Sequence, residues 1–184
     1  MITTLSFDLD DTLWDPRPAL IAADKAQWFA LAQRYPDLAE RLTRDQIFVC
    51  RKQILTDAPS IVGDVTALRI EVMYRLLLSL DIAPAEADES AKMAFEVFMA
   101  KRNDVILFPE TIPMLENVSK SYTVVAITNG NADVFKTEIG PYFDLSIRAD
   151  EAGIAKPDRG IFDLTWEKLG LSLIHISEPT RPIR

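Results

Sequence analysis

Asp8 and Asp10 lie two apart in residues 5–13, Leu-Ser-Phe-Asp-Leu-Asp-Asp-Thr-Leu. An extended backbone points residues two apart to the same side, so their carboxylates would face one spot. Two like charges held close are costly unless a cation sits between them. A hard, oxygen-rich site of this kind suits Mg²⁺, which keeps several waters and takes a substrate phosphate. Asp8 and Asp10 are therefore the expected metal ligands. A second group is Thr128-Asn129-Gly130, which follows a strand-type apolar run and precedes a segment read as helix. A hydroxyl, an amide side chain and free backbone N–H groups at a helix N-terminus would make an anion site. Lys156 stands before Pro157. Proline fits the first position of a helix, so Lys156 is expected just before a helix start. A lysine there can neutralise a carboxylate and phosphoryl oxygens together. Each feature also has a plain structural reading. These are an acidic strand end, the turn that Asn-Gly favours and a solvated lysine.

The elements that must position these groups follow from the pattern. Residues 2–7 form an apolar run of strand type that ends in three acids and a threonine. Strands disfavour Asp, so the acids sit where the strand stops. Open α/β sheets place ligands at the carboxyl ends of their strands. From residue 16 to 103 the chain reads as almost continuous helix, in four segments near residues 19–34, 43–56, 64–80 and 84–103. Apolar residues recur there at helical spacing, and Tyr35-Pro36 ends the first segment. The character changes at residues 105–109, Val-Ile-Leu-Phe-Pro. A short helix over 110–120 precedes a run over 122–127 that is apolar on both faces, as in a buried parallel strand. Residues 132–139 read as helix, 143–148 as strand and 158–169 as helix. The order of elements predicts an α/β fold. Its Rossmann-like parallel sheet core would comprise residues 1–15 and 105–170. An all-helical cap, residues 16–104, would be inserted after the first strand.

Bulk properties narrow the function classes. The 184 residues suit one domain, or a core with a smaller insert. The formal net charge of −8 argues against nucleic acid as a partner, because phosphate backbones recruit Lys and Arg. The single cysteine, Cys50, gives no sign of an oxidising compartment. The N-terminus lacks a signal-peptide pattern. No apolar stretch approaches bilayer length, so no membrane association and a cytoplasmic location are expected. Arg17, Arg51, Asp64 and Arg69 of the cap could face the site or solvent, and the solvated reading is favoured, since such residues are mostly exposed. Oligomeric state is left open.

The three motifs together resemble the haloacid dehalogenase-like hydrolases. The resemblance covers residues 1 to about 170. It implies that Asp8 is a nucleophile, Asp10 a general acid/base, and that Thr12 braces the turn. It also implies that Thr128, Asn129, Gly130 and Lys156 hold a phosphoryl group. Mg²⁺ would bridge Asp8, the phosphate and the backbone carbonyl of Asp10. The chain is most similar to the branch that dephosphorylates flavin mononucleotide and 5-amino-6-(5-phospho-D-ribitylamino)uracil. Residues 7–18, 125–132 and 167–170 carry that likeness. The implied activity is Mg²⁺-dependent hydrolysis of a small phosphorylated metabolite through an aspartyl-phosphate.

The family's fourth signature, paired acids or Gly-Asp after a fourth strand, is missing after Leu169. Residues 171–184 instead resemble a translated sequencing adapter, so a C-terminally truncated core with a non-native tail is expected. His175, the only histidine, would then have no role. The β-prone segment 173–176 could pair with the first strand, bringing Glu178 near the metal. Two rivals follow. One is an inactive fragment that binds phosphate without turnover. The other is a haloacid dehalogenase, whose chemistry leaves no alkoxide for Asp10 to protonate; a phosphomutase is a weaker third.

Overall fold

The structure is a computed structural model that describes residues 2–170. The expectations for residues 171–184, including the pairing of 173–176 and the places of His175 and Glu178, lie outside the described residues. Three strands, β1 (Thr4–Phe7), β4 (Thr123–Thr128) and β5 (Leu145–Arg148), make a parallel sheet in the order β1-β4-β5. Between β1 and β4 come β2 (Trp14–Asp15), α1 (Arg17–Arg34), α2 (Leu38–Arg41), α3 (Arg44–Asp57), α4 (Val65–Leu78), α5 (Pro84–Arg102), β3 (Ile106–Leu107) and α6 (Thr111–Val118). After β5 come α7 (Ala149–Ala152) and α8 (Arg159–Lys168). The α/β class with a parallel sheet and helical insert is as expected.

Strand β4 shows why the sheet is buried on both faces. Its side chains alternate, as strand geometry requires. Val124 and Ala126 join one core with Leu9, Leu13, Trp14 and Leu115. Val125 and Ile127 join the other with Ile147, Ala149 and Ile161. The register Phe7↔Ala126 brings the end of β1 beside the last turn of β4, so the acids after Phe7 meet the Thr128 turn.

Helices α1, α4 and α5 pack together around Leu31, Met73, Leu77 and the small residues Ala87, Ala91 and Ala94. Their ends are specified locally. Thr43 and Gln46 form a reciprocal capping box at α3. Asp64 accepts the Ala67 N–H at 2.7 Å to cap α4, a structural use of that acid. Proline sits in the first turn of α1 and α5.

Two features differ from the sequence expectation. Residues Trp14–Asp15 and Ile106–Leu107 pair as a short antiparallel ribbon, Trp14↔Leu107 and Asp15↔Ile106, where the chain leaves and re-enters the sheet region. Pairs of two residues carry no readable period. The Phe108 N–H and the Thr111 hydroxyl both donate to the Leu13 carbonyl, at 3.0 and 2.7 Å, and fasten the ribbon. The helix expected over 132–139 is absent. The segment holds only a 3₁₀ turn, Val134–Lys136. The Asp133 carboxylate takes the Phe135 N–H, and the Thr137 hydroxyl donates to the Val134 carbonyl at 2.6 Å. Such local bonds divert backbone groups that a helix needs.

The buried position of Leu115 in α6, 0% exposed, gives a stability test of this packing. Leu115→Ala is expected to lower the unfolding free energy by about 2–5 kcal/mol. Urea denaturation should show a lower midpoint with an unchanged slope.

Candidate active site

Leu9 anchors the turn that carries the two acids. It is fully buried, and its carbonyl accepts the N–H groups of Thr12 and Leu13 at 3.1 and 2.8 Å. Asp11 adopts φ 58°, a left-handed conformation that Asp tolerates. The chain therefore doubles back at once, and the Trp14 indole Nε1 donates to Asp10 Oδ1 at 2.7 Å. Thr12 supports the turn through its backbone; its side chain is exposed.

Asp8 and Asp10 are each matched to a separate cation. The Lys156 ammonium lies 2.9 Å from Asp8 Oδ1 and donates to the Ile127 carbonyl at 2.6 Å. Its backbone is clamped by Asn129. The Lys156 N–H donates to Asn129 Oδ1 at 2.7 Å, and Asn129 Nδ2 donates to the Lys156 carbonyl at 2.9 Å. Asp10 Oδ2 accepts a hydrogen bond from Arg102 Nη2 at 2.6 Å. Arg102 is the last residue of α5, only 1% exposed, and its Nε donates to Asn131 Oδ1 at 3.1 Å. Gly130 completes the cluster. A Cβ there would lie 2.5 Å from Asp10 Oδ2, so the close backbone approach requires glycine.

The predicted groups Asp8, Asp10, Thr128, Asn129, Gly130 and Lys156 thus meet at the ends of β1 and β4, but three details are corrected. No helix N-terminus follows Gly130, because local bonds replace the expected helix, and the Gly130 N–H donates to Thr128 Oγ1 at 3.0 Å. Pro157 is not the first residue of a helix. Helix α8 begins at Arg159, capped by Asp158, whose carboxylate accepts the Gly160 N–H. The Asn129 side chain serves Lys156 and is not an open phosphate donor.

A cavity of about 320 Å³ extends from Asp10, Arg102, Gly130 and Asn131 into the helical insert. Leu20, Trp28, Ile47, Leu68 and Met73 supply apolar wall, and Asp24, Gln27, Arg51 and Arg69 supply polar groups. Arg69 is half-buried in the cavity wall, the site-facing alternative, whereas Arg51 borders the cavity and stays exposed, as a solvated residue would. Arg69 pairs with Asp24 and lies 3.7 Å from the Phe98 ring centroid, a cation–π contact. Burial pushes the Arg69 guanidinium below its ordinary pKa, and Asp24 opposes that shift. Arg17 is exposed and pairs with Asp15, as a solvated residue would. Arg102 and Trp14 were not singled out by the sequence. A basic residue closing a helix is the ordinary pattern for the helix dipole, and Trp14 opens a polar, proline-bearing segment that carries no chemical signal of its own.

The donor set fits a magnesium ion only sparingly. Asp8 Oδ2 takes no hydrogen bond among the described residues, whereas both Asp10 carboxylate oxygens are taken by Trp14 and Arg102. The Asp10 backbone carbonyl accepts no hydrogen bond among the described residues. No cluster of three or more acidic, histidine or cysteine ligands occurs among the described residues. One carboxylate and a carbonyl, with water and phosphate completing the shell, is a manner in which Mg²⁺ is commonly held.

Comparison with known proteins agrees with this geometry. The family model for haloacid dehalogenase-like hydrolases matches residues 2–177. The chain is 29% identical to the 5-amino-6-(5-phospho-D-ribitylamino)uracil phosphatase YigB of Escherichia coli K12, over 96% of this chain and 75% of that protein. It is similar to the 2-haloacid dehalogenase of Pseudomonas syringae pv. Tomato DC3000, with TM-score 0.86 and 36% identity over 93% of this chain and 74% of that one. The magnesium-bound hydrolase YfnB of Bacillus subtilis shares the fold at TM-score 0.58 and 16% identity, over 96% of this chain and 74% of that one. No helix among the described residues is long and apolar enough to cross a membrane. A family match over nearly the whole chain, with the acids, the lysine and the parallel sheet that the motifs led one to expect, makes this chain a member of the haloacid dehalogenase-like hydrolases.

Proposed function

We propose that the chain is a phosphomonoesterase working through an aspartyl-phosphate, with residues 1–15 and 105–170 as catalytic core and 16–104 as a cap. The observation that carries this reading is the pairing of two neighbouring carboxylates with different cations, Asp8 with Lys156 and Asp10 with Arg102. That division gives each acid its own task. Asp8 attacks phosphorus, and the bond from phosphorus to the leaving oxygen breaks. Asp10 gives its proton to that oxygen, so an alcohol departs. A water then attacks the phosphoryl group, returns a proton to Asp10 and releases Asp8 and inorganic phosphate.

The chain's donors suit the phosphoryl oxygens. The Thr128 hydroxyl accepts the Gly130 N–H and keeps its own proton to donate. Lys156 uses two partners, Asp8 and the Ile127 carbonyl, and its ammonium has a third N–H for phosphate. The Asn129 N–H is a further donor. Such fixed dipoles stabilise the transferring group without reorganising. Asp8 and the Asp10 carbonyl would hold Mg²⁺, which when bound neutralises charge on the phosphate. The cavity in the cap would take the leaving group, a small phosphorylated metabolite. The activity for which YigB is named makes 5-amino-6-(5-phospho-D-ribitylamino)uracil the first candidate, and the family resemblance adds flavin mononucleotide.

A dehalogenase reading has the support of the 36% identity to the Pseudomonas enzyme. It gives Asp10 nothing to protonate, since a halide leaves as a stable anion. Phosphatase assay with p-nitrophenyl phosphate, beside halide release from 2-chloropropionate, separates the two. The phosphatase reading expects phosphate release that chelation abolishes and added Mg²⁺ restores. Halide release alone would overturn it.

Asp8→Asn is expected to cut turnover by about 10⁴-fold or more, since it removes the nucleophile. Circular dichroism should show the fold retained, and more than a few per cent residual activity would remove Asp8 from that role. Gly130→Ala drives a methyl against Asp10 Oδ2, and a misplacement of about 1 Å costs roughly 10²-fold in rate. The measurement is kcat with a thermal midpoint recorded in parallel.

A further inference from the structure

We propose that Trp14 and Arg102 are positioning residues that aim the Asp10 carboxylate for proton transfer to the leaving group. The inference rests on the phosphomonoesterase reading and goes beyond it. Each oxygen of Asp10 has one fixed donor, Trp14 Nε1 at 2.7 Å and Arg102 Nη2 at 2.6 Å. Two donors on opposite oxygens fix the plane of the carboxylate. A carboxylate has about four lone-pair sites, so about two remain for a transferable proton. The side chain is 24% exposed and lines the cavity, so the remaining sites have access to the place where a leaving group would lie.

Both donors are themselves immobilised. Trp14 is 0% exposed and held in the ribbon with Leu107. Arg102 is tied by Nε to Asn131. Burying a guanidinium is costly, and its Nη1 is buried without a hydrogen-bond partner in the described structure. The helix dipole at the end of α5 does not demand that cost. The neighbouring Lys101 meets the same helix end at 55% exposure, paired with Asp104. Arg102 is turned inward at a position where a solvated cation would satisfy the helix, and the group it turns toward is Asp10.

The role predicts a dependence on the leaving group that a purely structural role does not. A nitrophenolate departs without help, whereas a poorer leaving oxygen needs the proton from Asp10. We would measure kcat/KM, which covers the steps through departure of the alcohol, for 4-nitrophenyl phosphate and for unsubstituted phenyl phosphate. The ratio of the first to the second is compared in wild type, Asp10→Asn, Trp14→Phe, Arg102→Met and Arg102→Lys. Asp10→Asn sets the scale for loss of the acid. Trp14→Phe and Arg102→Met are expected to raise the ratio by about tenfold or more, part of the roughly 10²–10⁴-fold that general acid catalysis contributes. Arg102→Lys should restore part of it. Thermal midpoints identify folded variants, and Trp14→Phe decides the matter if Arg102→Met does not fold. Equal loss on both substrates, or none, in the folded variants overturns the proposal. Wild type inactive on both substrates would instead sink the phosphatase reading. A raised ratio in Asp10→Asn alone would sink only the positioning role.

Discussion

Two carboxylates at one strand end repel each other, and this constraint organises the molecule. Like charges held close raise the free energy unless cations offset them. The chain answers with two cations drawn from distant stretches, Lys156 from beyond β5 and Arg102 from the end of α5. Neither can reach its acid unless the sheet register is right and the helical insert is seated. Phe7↔Ala126 sets the first condition. The ribbon of Trp14–Asp15 with Ile106–Leu107 sets the second, because it brings the two ends of the insert together within a few residues of Asp10 and Arg102.

The consequence is that the candidate chemistry does not belong to the sheet alone. Asp8, Thr128, Asn129 and Lys156 form a self-contained set around the ends of β1 and β4, with Asn129 clamping the backbone of Lys156 at two points. Asp10 looks the other way, to Arg102 and the cavity lined by helices of the insert. Further polar contacts cross the same boundary. Asn131 donates to the Thr66 hydroxyl at 3.4 Å, and that hydroxyl donates to Asp150 at 2.7 Å. One acid is thus tied to the half that would bind phosphate and the other to the half that would bind the leaving group.

Much of this was legible in the sequence because the relevant signals are local and periodic. The apolar runs of β1 and β4 and the long helices follow from residue type and spacing, and the grouping of Asp8, Asp10, Thr128 and Lys156 from the family resemblance. The failures have physical causes. Residues 132–139 have helical spacing, but Asp133 and Thr137 bond to nearby backbone and hold the segment in a 3₁₀ turn. The ribbon is two residues wide on each side, below any readable period. Arg102 was invisible because its partner Asp10 is 92 positions away. Its own surroundings describe an ordinary helix end. Residue type alone favours solvent for Arg69, and only the packing of α1, α3 and α4 reveals the cavity in whose wall it is half-buried.

The fold by itself does not choose between cleaving a phosphate ester and cleaving a carbon–halogen bond, and relatives named for each reaction resemble this chain. The choice lies in what the second acid can do. An attacking carboxylate and a nearby lysine suffice for a displacement whose leaving group is a stable anion. Expelling an alkoxide is different, because the departing oxygen must gain a proton as the bond breaks. Asp10 is held in place by Trp14 and Arg102, with part of its carboxylate open to the cavity. A carboxylate so restrained, beside Asp8 with its own separate cation, would have a use in the second reaction and none in the first. On the proposed phosphatase reading, the cost of burying Arg102 would be the cost of keeping a proton donor aimed.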